Sequence, residues 1–351
     1  MKASIIICCY NSADILEAAL RGAASQTLPS HEYEIIVVDN ASTDETALVA
    51  TAFADTALVT IKLVSEPKPG LLFARCRGVM AAQGDYVCFV DDDNILDPNY
   101  LFIACSLFSA YPKIGYLGGR SVLPTGAITP HWLSEQMMPC YAVGRQRQSN
   151  GILVFPHLAL FGAGLCARRA PLKTVLDDSD KFFCQGRTGD KQLSGEDTEI
   201  CYRLALAGWQ GYYDDRLLLT HAIRARRFTK QSLIRMFQGF GLTVPYMHRL
   251  ESQIMKTHRH AAAANEAGPD IQQPVSYVQQ GSIIKKVKAK IKRHLLHDGN
   301  DNHRLLFYLI LFLMSFPHCW HLAGRLKFEL YRYAILSALK MKFSRNTANN
   351  G

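Results

Sequence analysis

Residues 84–94 read GDYVCFVDDDN. Tyr86–Val90 form an unbroken apolar run of strand length, and three carboxylates, Asp91, Asp92 and Asp93, follow it without a spacer. Such a run, opened by a glycine turn and rich in β-branched and aromatic residues, predicts a strand buried on both faces. Three adjacent acids repel one another, and a divalent cation removes that repulsion. Hard oxygen ligands suit Mg2+ or Mn2+, which bind through one or two carboxylates together with substrate phosphates. The plain alternative is a solvated acidic turn. The position directly after a buried strand argues against it.

Working outward toward the N-terminus, the same grammar repeats. Ser4–Cys9 is an apolar run broken at Tyr10-Asn11, too short for a signal-peptide core and suited to a first strand. Ile15, Ala18, Ala19 and Gly22 follow at helical steps. Glu34–Val38 predicts a second strand, ending in DNASTD (39–44), where Thr43 or Asp44 is placed to cap the next helix. Ile61–Val64 predicts a third strand and Leu71–Ala82 a helix, so the run at Tyr86 is the fourth strand. This alternation predicts a Rossmann-like α/β domain with a mostly parallel central sheet and helices on both faces. Ligands bind beyond the carboxyl ends of such strands, which puts Asn11, Asp39 and Asp91–Asp93 on one rim.

Toward the C-terminus the pattern loosens. Residues 118–156, with Pro124, Pro130 and Pro139, read as a long functional loop. Leu158–Cys166 and Leu217–Leu219 are candidate further strands. The glycine-rich FGAGLCARR (161–169) lacks dinucleotide-binding spacing and suits close backbone approach to a substrate. In GEDTE (195–199), Asp197 is either the N-cap of the helix that follows or a general base for an acceptor hydroxyl, and one residue can do both. His221 ends the run LLLT; it is either structural or, beside a metal, a ligand or phosphate contact.

Composition bounds the rest. The chain has 351 residues, 48% hydrophobic and 20% charged, which fits a globular protein larger than one small domain. Its ten cysteines form no C-x-x-C pair, which disfavours a zinc finger or disulfide framework and fits a reducing, cytoplasmic compartment. Residues 1–255 carry 24 Lys and Arg against 25 Asp and Glu, whereas 256–351 carry 15 against 5. A near-neutral body with a basic tail predicts an anionic surface met by the tail alone.

Six segments in order, IIICCYN, EIIVVDNASTDET, SEPKPGLLFARCRGVMAAQGDYVCFVDDDN, LFGAGLCARR, LSGEDTEICYRLALAGWQGYYDD and LLLTH, resemble family 2 glycosyltransferases. The resemblance implies the GT-A fold and inverting transfer from a nucleotide-sugar donor. It implies donor-binding roles for Tyr10, Asn11, Asp39, Arg75, Asp91 and Asp92. Metal binding falls on Asp91 and Asp93, with His221 as the further candidate, and the catalytic base on Asp197. Cys9 stands where the family often has proline, and Cys76 where it often has asparagine. The Q-x-x-R-W signature of processive synthases is missing; Gln231–Arg235 is followed by Met236. One sugar per acceptor is therefore expected, on a glycan or lipid-linked hydroxyl in cell-surface polysaccharide synthesis. The rival readings are a nucleotidyltransferase, which also uses strand-end carboxylates and metals, and a non-catalytic membrane-bound scaffold.

The expected division is a catalytic domain over 1–255, a linker over 256–282 and a basic, apolar helical tail over 283–351. Ile284, Val287 and Ile291 lie at helical spacing among Lys285, Lys286, Lys288, Lys290, Lys292 and Arg293. That pattern suits an anionic lipid surface, with no nucleic acid expected. Residues 305–324 are free of Lys, Arg, Asp and Glu, enough for one span, but basic residues flank both ends. A hairpin near Pro317 or an interfacial helix keeps both flanks inside, on the cytoplasmic face of the plasma membrane; a helix pair packed on the domain is the alternative. Full-length protein should co-sediment with anionic liposomes at low salt and release at high salt, and a chain ending at residue 282 should stay in the supernatant. Equal partitioning of the two would assign the tail to packing on the domain, and an external C-terminal reporter would establish a true span.

Overall fold

The computed structural model describes residues 1–264 apart from 134, 189, 190 and 193. Met1–Thr257 form one compact unit. The chain begins with β1 (Ala3–Cys9), α1 (Leu16–Ala24), β2 (Tyr33–Asp39), α2 (Thr46–Ala54), β3 (Thr60–Ser65), α3 (Leu71–Ala81) and β4 (Tyr86–Asp91). A short β5 (Asn94–Leu96), α4 (Tyr100–Ala110) and β6 (Ile114–Val122) follow. After a long loop come β7 (Gly151–Ile152), β8 (Cys166–Arg168), α5 (Arg169–Asp177), β9 (Arg187–Thr188), β10 (Lys191–Gln192), α6 (Glu196–Leu206), β11 (Gln210–His221) and α7 (Lys230–Ala264).

The main sheet runs β3-β2-β1-β4-β8-β6-β11-β5, with β7 on β11. The first half is parallel, as expected. The second half is mixed and corrects the expectation of a mostly parallel sheet: β6 and β11 pair parallel, but the other pairings do not. β8 is antiparallel to both β4 and β6, and β5 and β7 are antiparallel to β11. The three-residue β8 is inserted between β4 and β6 running opposite to both, and it satisfies the facing backbone groups of the two strands through antiparallel hydrogen bonds. The strand expected over Leu158–Cys166 is likewise shifted, since only Cys166–Arg168 pairs.

Both sheet faces are covered, which explains why Ile5–Cys9 of β1 and Ile35–Val38 of β2 are apolar without a break instead of alternating. Ala3, Ile5 and Ile7 pack with Leu16 and Leu20 of α1 and Leu101 and Ala104 of α4. Ile6 and Cys8 pack on the other face with Leu72 of α3, Leu172 of α5, Ile200 of α6 and Ile254 of α7. α3 lies so close to β1 that a Cβ on Gly78 would stand 2.3 Å from Ile6 Cγ2. Helix starts differ from expectation by a residue or two. α2 begins at Thr46 behind Glu45, although Asp44 does accept the Thr46 N–H at 3.1 Å. α7 continues through Ala264, into the stretch read as linker, and the tail over 283–351 lies outside the described residues. Among the described residues no helix is long and apolar enough to cross a membrane.

One buried acid ties the parallel half together at the end opposite the strand-end carboxylates. Glu34 is fully buried and accepts Ser4 Oγ at 2.8 Å and the Gln83 N–H at 2.7 Å, with Lys62 Nζ 2.7 Å away. Burial alone pushes this carboxyl up, but the Lys62, Gln83 and Ser4 contacts outweigh it and hold it below its ordinary value. A depressed carboxyl stabilises the fold above its unfolded pKa and loses that contribution as pH falls through the folded one. Glu34→Gln should therefore cost about 1–3 kcal/mol at neutral pH. Part of the melting-temperature gap to wild type should close below about pH 4; a gap independent of pH would assign the loss to packing alone.

Candidate active site

Strand register builds the rim. β1 pairs Cys9 with Asp39 on β2 and Cys8 with Asp91 on β4, so the expected donor-side residues emerge side by side. Tyr10 is exposed beyond β1. Asn11, in left-handed backbone at φ 49°, accepts the Thr43 N–H at 2.8 Å and donates its own N–H to Ser42 Oγ at 3.1 Å. Asp39 accepts the Ser42 N–H at 3.1 Å. The first two loops are thus tied to each other, and Asn40 ties the second to the third through the Glu66 and Lys68 carbonyls and the Gly70 N–H.

The three carboxylates after β4 take three different environments. Asp91 faces Arg75, with Nη2 at 3.7 Å. Burial first, then the Asp93 charge, pushes the Asp92 carboxyl up to about 7. Asp93 is buried between two bases: His221 Nε2 lies 3.2 Å from Oδ1, and Arg227 Nη1 3.2 Å from Oδ2. The antiparallel pairing of His221 with Asn94 is what carries residue 221 to this place. Repulsion within the acidic run is therefore relieved by two arginines as well as by partial neutralisation of Asp92.

These residues fit a divalent cation. Both ring nitrogens of buried His221 lack a hydrogen-bond partner, and Nε2 stands 3.2 Å from Asp93 Oδ1, close enough for both atoms to face one cation. A carboxylate with an imidazole is a donor set suited to Mn2+ or Mg2+ completed by water and phosphate. Among the described residues no group of three or more His, Cys, Asp or Glu gathers as a self-sufficient metal cage.

Arg75, expected at a basic position near the donor, has a buried side chain. Its guanidinium spans Asp91 and Glu196, the latter at 3.5 Å, and lies over the Phe89 ring at 5.1 Å. Glu196 was given no role from the sequence, although GEDTE contains it. The three acids of that motif divide their tasks. Glu196 meets Arg75; Asp197 accepts the Gly162 N–H at 2.8 Å; buried Glu199 holds Arg203 at 2.8 Å and the Tyr246 hydroxyl at 2.8 Å. The capping expectation for Asp197 is corrected: Gly195 occupies the cap, at φ 118°, because only a residue tolerant of left-handed backbone fits there, and Asp197 lies in the first turn of α6. That turn carries the positive end of the helix dipole, which favours an ionised carboxylate. The glycine stretch is also reassigned. A Cβ on Gly162 would stand 2.5 Å from Arg75 Nη2, so the close approach it allows is to the guanidinium and, through its N–H, to Asp197.

The arrangement joins the strand-end carboxylates to a half-buried carboxylate, Asp197, which adjoins Glu196 of the Arg75 pair. The model of the glycosyl transferase family 2 matches residues 4–167. A cholesterol galactosyltransferase of Borreliella burgdorferi is 33% identical over 352 residues, covering 96% of this chain and 82% of that protein. A poly(ribitol-phosphate) beta-glucosyltransferase of Bacillus spizizenii is 34% identical over 99 residues, 27% of this chain and 15% of that protein. In fold, the mannosyltransferase PcManGT from Pyrobaculum calidifontis, solved with GDP-Man and Mn2+, superposes with a TM-score of 0.55 at 17% identity, covering 97% of this chain and 86% of that one. S. aureus TarS 1-349 with UDP-GlcNAc gives 0.50 at 18%, covering 83% and 81%. With these matches the nucleotidyltransferase and scaffold readings fall away, and the resemblance drawn from the six segments holds: this chain is a glycosyltransferase and belongs to glycosyl transferase family 2.

Proposed function

We propose that the protein transfers one sugar at a time, with inversion, from a nucleotide-sugar donor to the hydroxyl of a lipid or lipid-linked glycan at the cytoplasmic face of the plasma membrane. The observation that carries this reading is the Arg75 guanidinium, whose two ends meet Asp91 of the donor rim and Glu196, the neighbour of Asp197. One buried side chain thereby fixes the candidate base beside the candidate diphosphate site. The solved structures with UDP-GlcNAc and with GDP-Man and Mn2+ support a nucleotide-sugar donor and a divalent metal. The cholesterol galactosyltransferase relative, whose similarity runs through 96% of this chain, supports a lipid hydroxyl as acceptor. The basic, apolar sequence over 283–351 supports delivery of that acceptor from a membrane surface.

In this reading Asp39 and the Tyr10-Asn11 loop hold the nucleoside, and Asp91 and Asp92 lie against its ribose and diphosphate. Asp93 and His221, with Asp91 nearby, would hold Mn2+ or Mg2+. Such a cation, when bound, offsets the negative charge that develops on the leaving nucleoside diphosphate. Asp197 accepts the proton of the acceptor hydroxyl as that oxygen attacks the anomeric carbon from the face opposite the diphosphate. Its bonds from Gly162 N–H and Thr198 N–H aim the carboxylate and leave lone pairs for that proton. One displacement then inverts the configuration.

Donor specificity is open to a direct screen of UDP-, GDP- and dTDP-sugars with Mn2+. With the sugar nucleotide found, Asp197→Asn should keep donor affinity and lose transfer by about 10²–10⁴-fold. Transfer within about threefold of wild type would leave Asp197 a purely structural residue. Asp93→Ala should remove the Mn2+ dependence of nucleoside diphosphate binding while the chain stays folded; calorimetry showing unaltered metal-dependent binding would rule Asp93 out as a ligand.

A further inference from the structure

The segment after β11, residues 221–230, reads HAIRARRFTK, with Arg224, Arg226, Arg227 and Lys230 and no acid. It lies against the strand-end carboxylates and is pinned on both sides. The Ala222 N–H donates to the Asp93 carbonyl at 2.7 Å. Arg224 pairs with Asp14 and donates to the Asn11 carbonyl at 3.4 Å, reaching the loop after β1. On the far side Phe228 is buried against Tyr141, ring centroids 5.2 Å apart, and the Tyr141 hydroxyl donates to the Arg227 carbonyl at 3.4 Å. The backbone at Arg227 is therefore fixed. Its side chain is 27% exposed and turns back to Asp93 Oδ2 at 3.2 Å.

Two cations cannot share one carboxylate without repelling each other. Asp93 is the acid that also stands beside His221, so Arg227 occupies a carboxylate that a divalent ion would claim. A guanidinium displaced from Asp93 needs a new anion within side-chain reach. Its planar fork suits phosphate oxygens, and the swing needs no movement of the pinned backbone. Resting on the nucleotide-sugar reading above, we propose that Arg227 is a diphosphate-binding residue that exchanges Asp93 for the donor's terminal phosphate when a divalent cation binds. The contact strengthens as the sugar–oxygen bond breaks, because that bond's electron pair stays with the diphosphate. Arg227 thus serves both donor binding and departure of the leaving group.

The proposal predicts effects of opposite sign. Arg227→Gln, Arg227→Lys and the exposed control Arg226→Gln would be compared with wild type on the full-length chain. Electron paramagnetic resonance of free Mn2+ measures metal affinity without nucleotide, and calorimetry with Mn2+ measures UDP, GDP and dTDP affinity. Arg227→Gln should hold Mn2+ more tightly than wild type and bind the diphosphate about 10- to 100-fold more weakly. Arg227→Lys, which keeps the charge but loses the fork, should fall between; it carries the test if the glutamine variant does not fold. Arg226→Gln should match wild type. Weaker diphosphate binding with raised Mn2+ affinity supports the exchange; weaker diphosphate binding with Mn2+ affinity unchanged overturns it and leaves Arg227 a phosphate contact that does not compete with the cation. Unchanged diphosphate affinity, or parallel loss of metal and diphosphate binding, overturns it in favour of a structural role. Wild type binding none of the three diphosphates would overturn the donor reading itself, and the exchange with it.

Discussion

The site is organised around one buried guanidinium. A charged group taken out of water is costly unless it is paired, and breaking such a pair leaves the partner stranded. Arg75 meets this constraint by drawing Asp91 and Glu196 to its two ends and resting on Phe89. The same guanidinium leaves room for no side chain at Gly162, and the Gly162 N–H is thereby free to hold Asp197. Residues 75, 91, 162, 196 and 197, from α3, β4, the loop before β8 and the start of α6, are thus fixed relative to one another. α6 is anchored in turn at Glu199, through Arg203 and the Tyr246 hydroxyl of α7. Rigidity of that kind is what the base role proposed for Asp197 requires.

Charge on the rim is arranged by difference. Asp91, Asp92 and Asp93 are adjacent in sequence, yet one meets a buried arginine, one is driven toward neutrality and one lies between a histidine and a second arginine. Environment separates three identical groups, which is how a run of like charges survives in a fold. It also separates their chemistry: Asp93 shares its surroundings with the imidazole, while Asp91 is committed on one side to the guanidinium that leads to Asp197.

The sheet shows why its parallel half and its antiparallel pairings differ in use. The parallel half delivers Cys9, Asp39 and Asp91 to one edge through register alone. The antiparallel pairings bring distant segments back to that edge, with β8 carrying the chain that follows Gly162 and the β5 pairing of β11 setting His221 next to Asn94. Donor-side groups come from the first arrangement and the remaining catalytic candidates from the second.

Local sequence determined the strands and helices of the first ninety or so residues, because an apolar run buried on both faces and a helical repeat are written in consecutive positions. It also determined the strand-end acids and, through six ordered motifs, the family. The second half of the sheet escaped it: β5 and β8 are each only three residues long and carry too little pattern to be seen, and β6, with its glycines at 115, 118 and 119, ran into the stretch read as a loop from residue 118. Pairings at long range were equally invisible: no spacing rule joins Arg75 to Glu196, Gly162 to Asp197 or Arg227 to Asp93. Those contacts were decided by tertiary structure, because a buried charge selects its partner by where the folded sheet and helices bring one within reach, and that distance is a property of packing and not of sequence order.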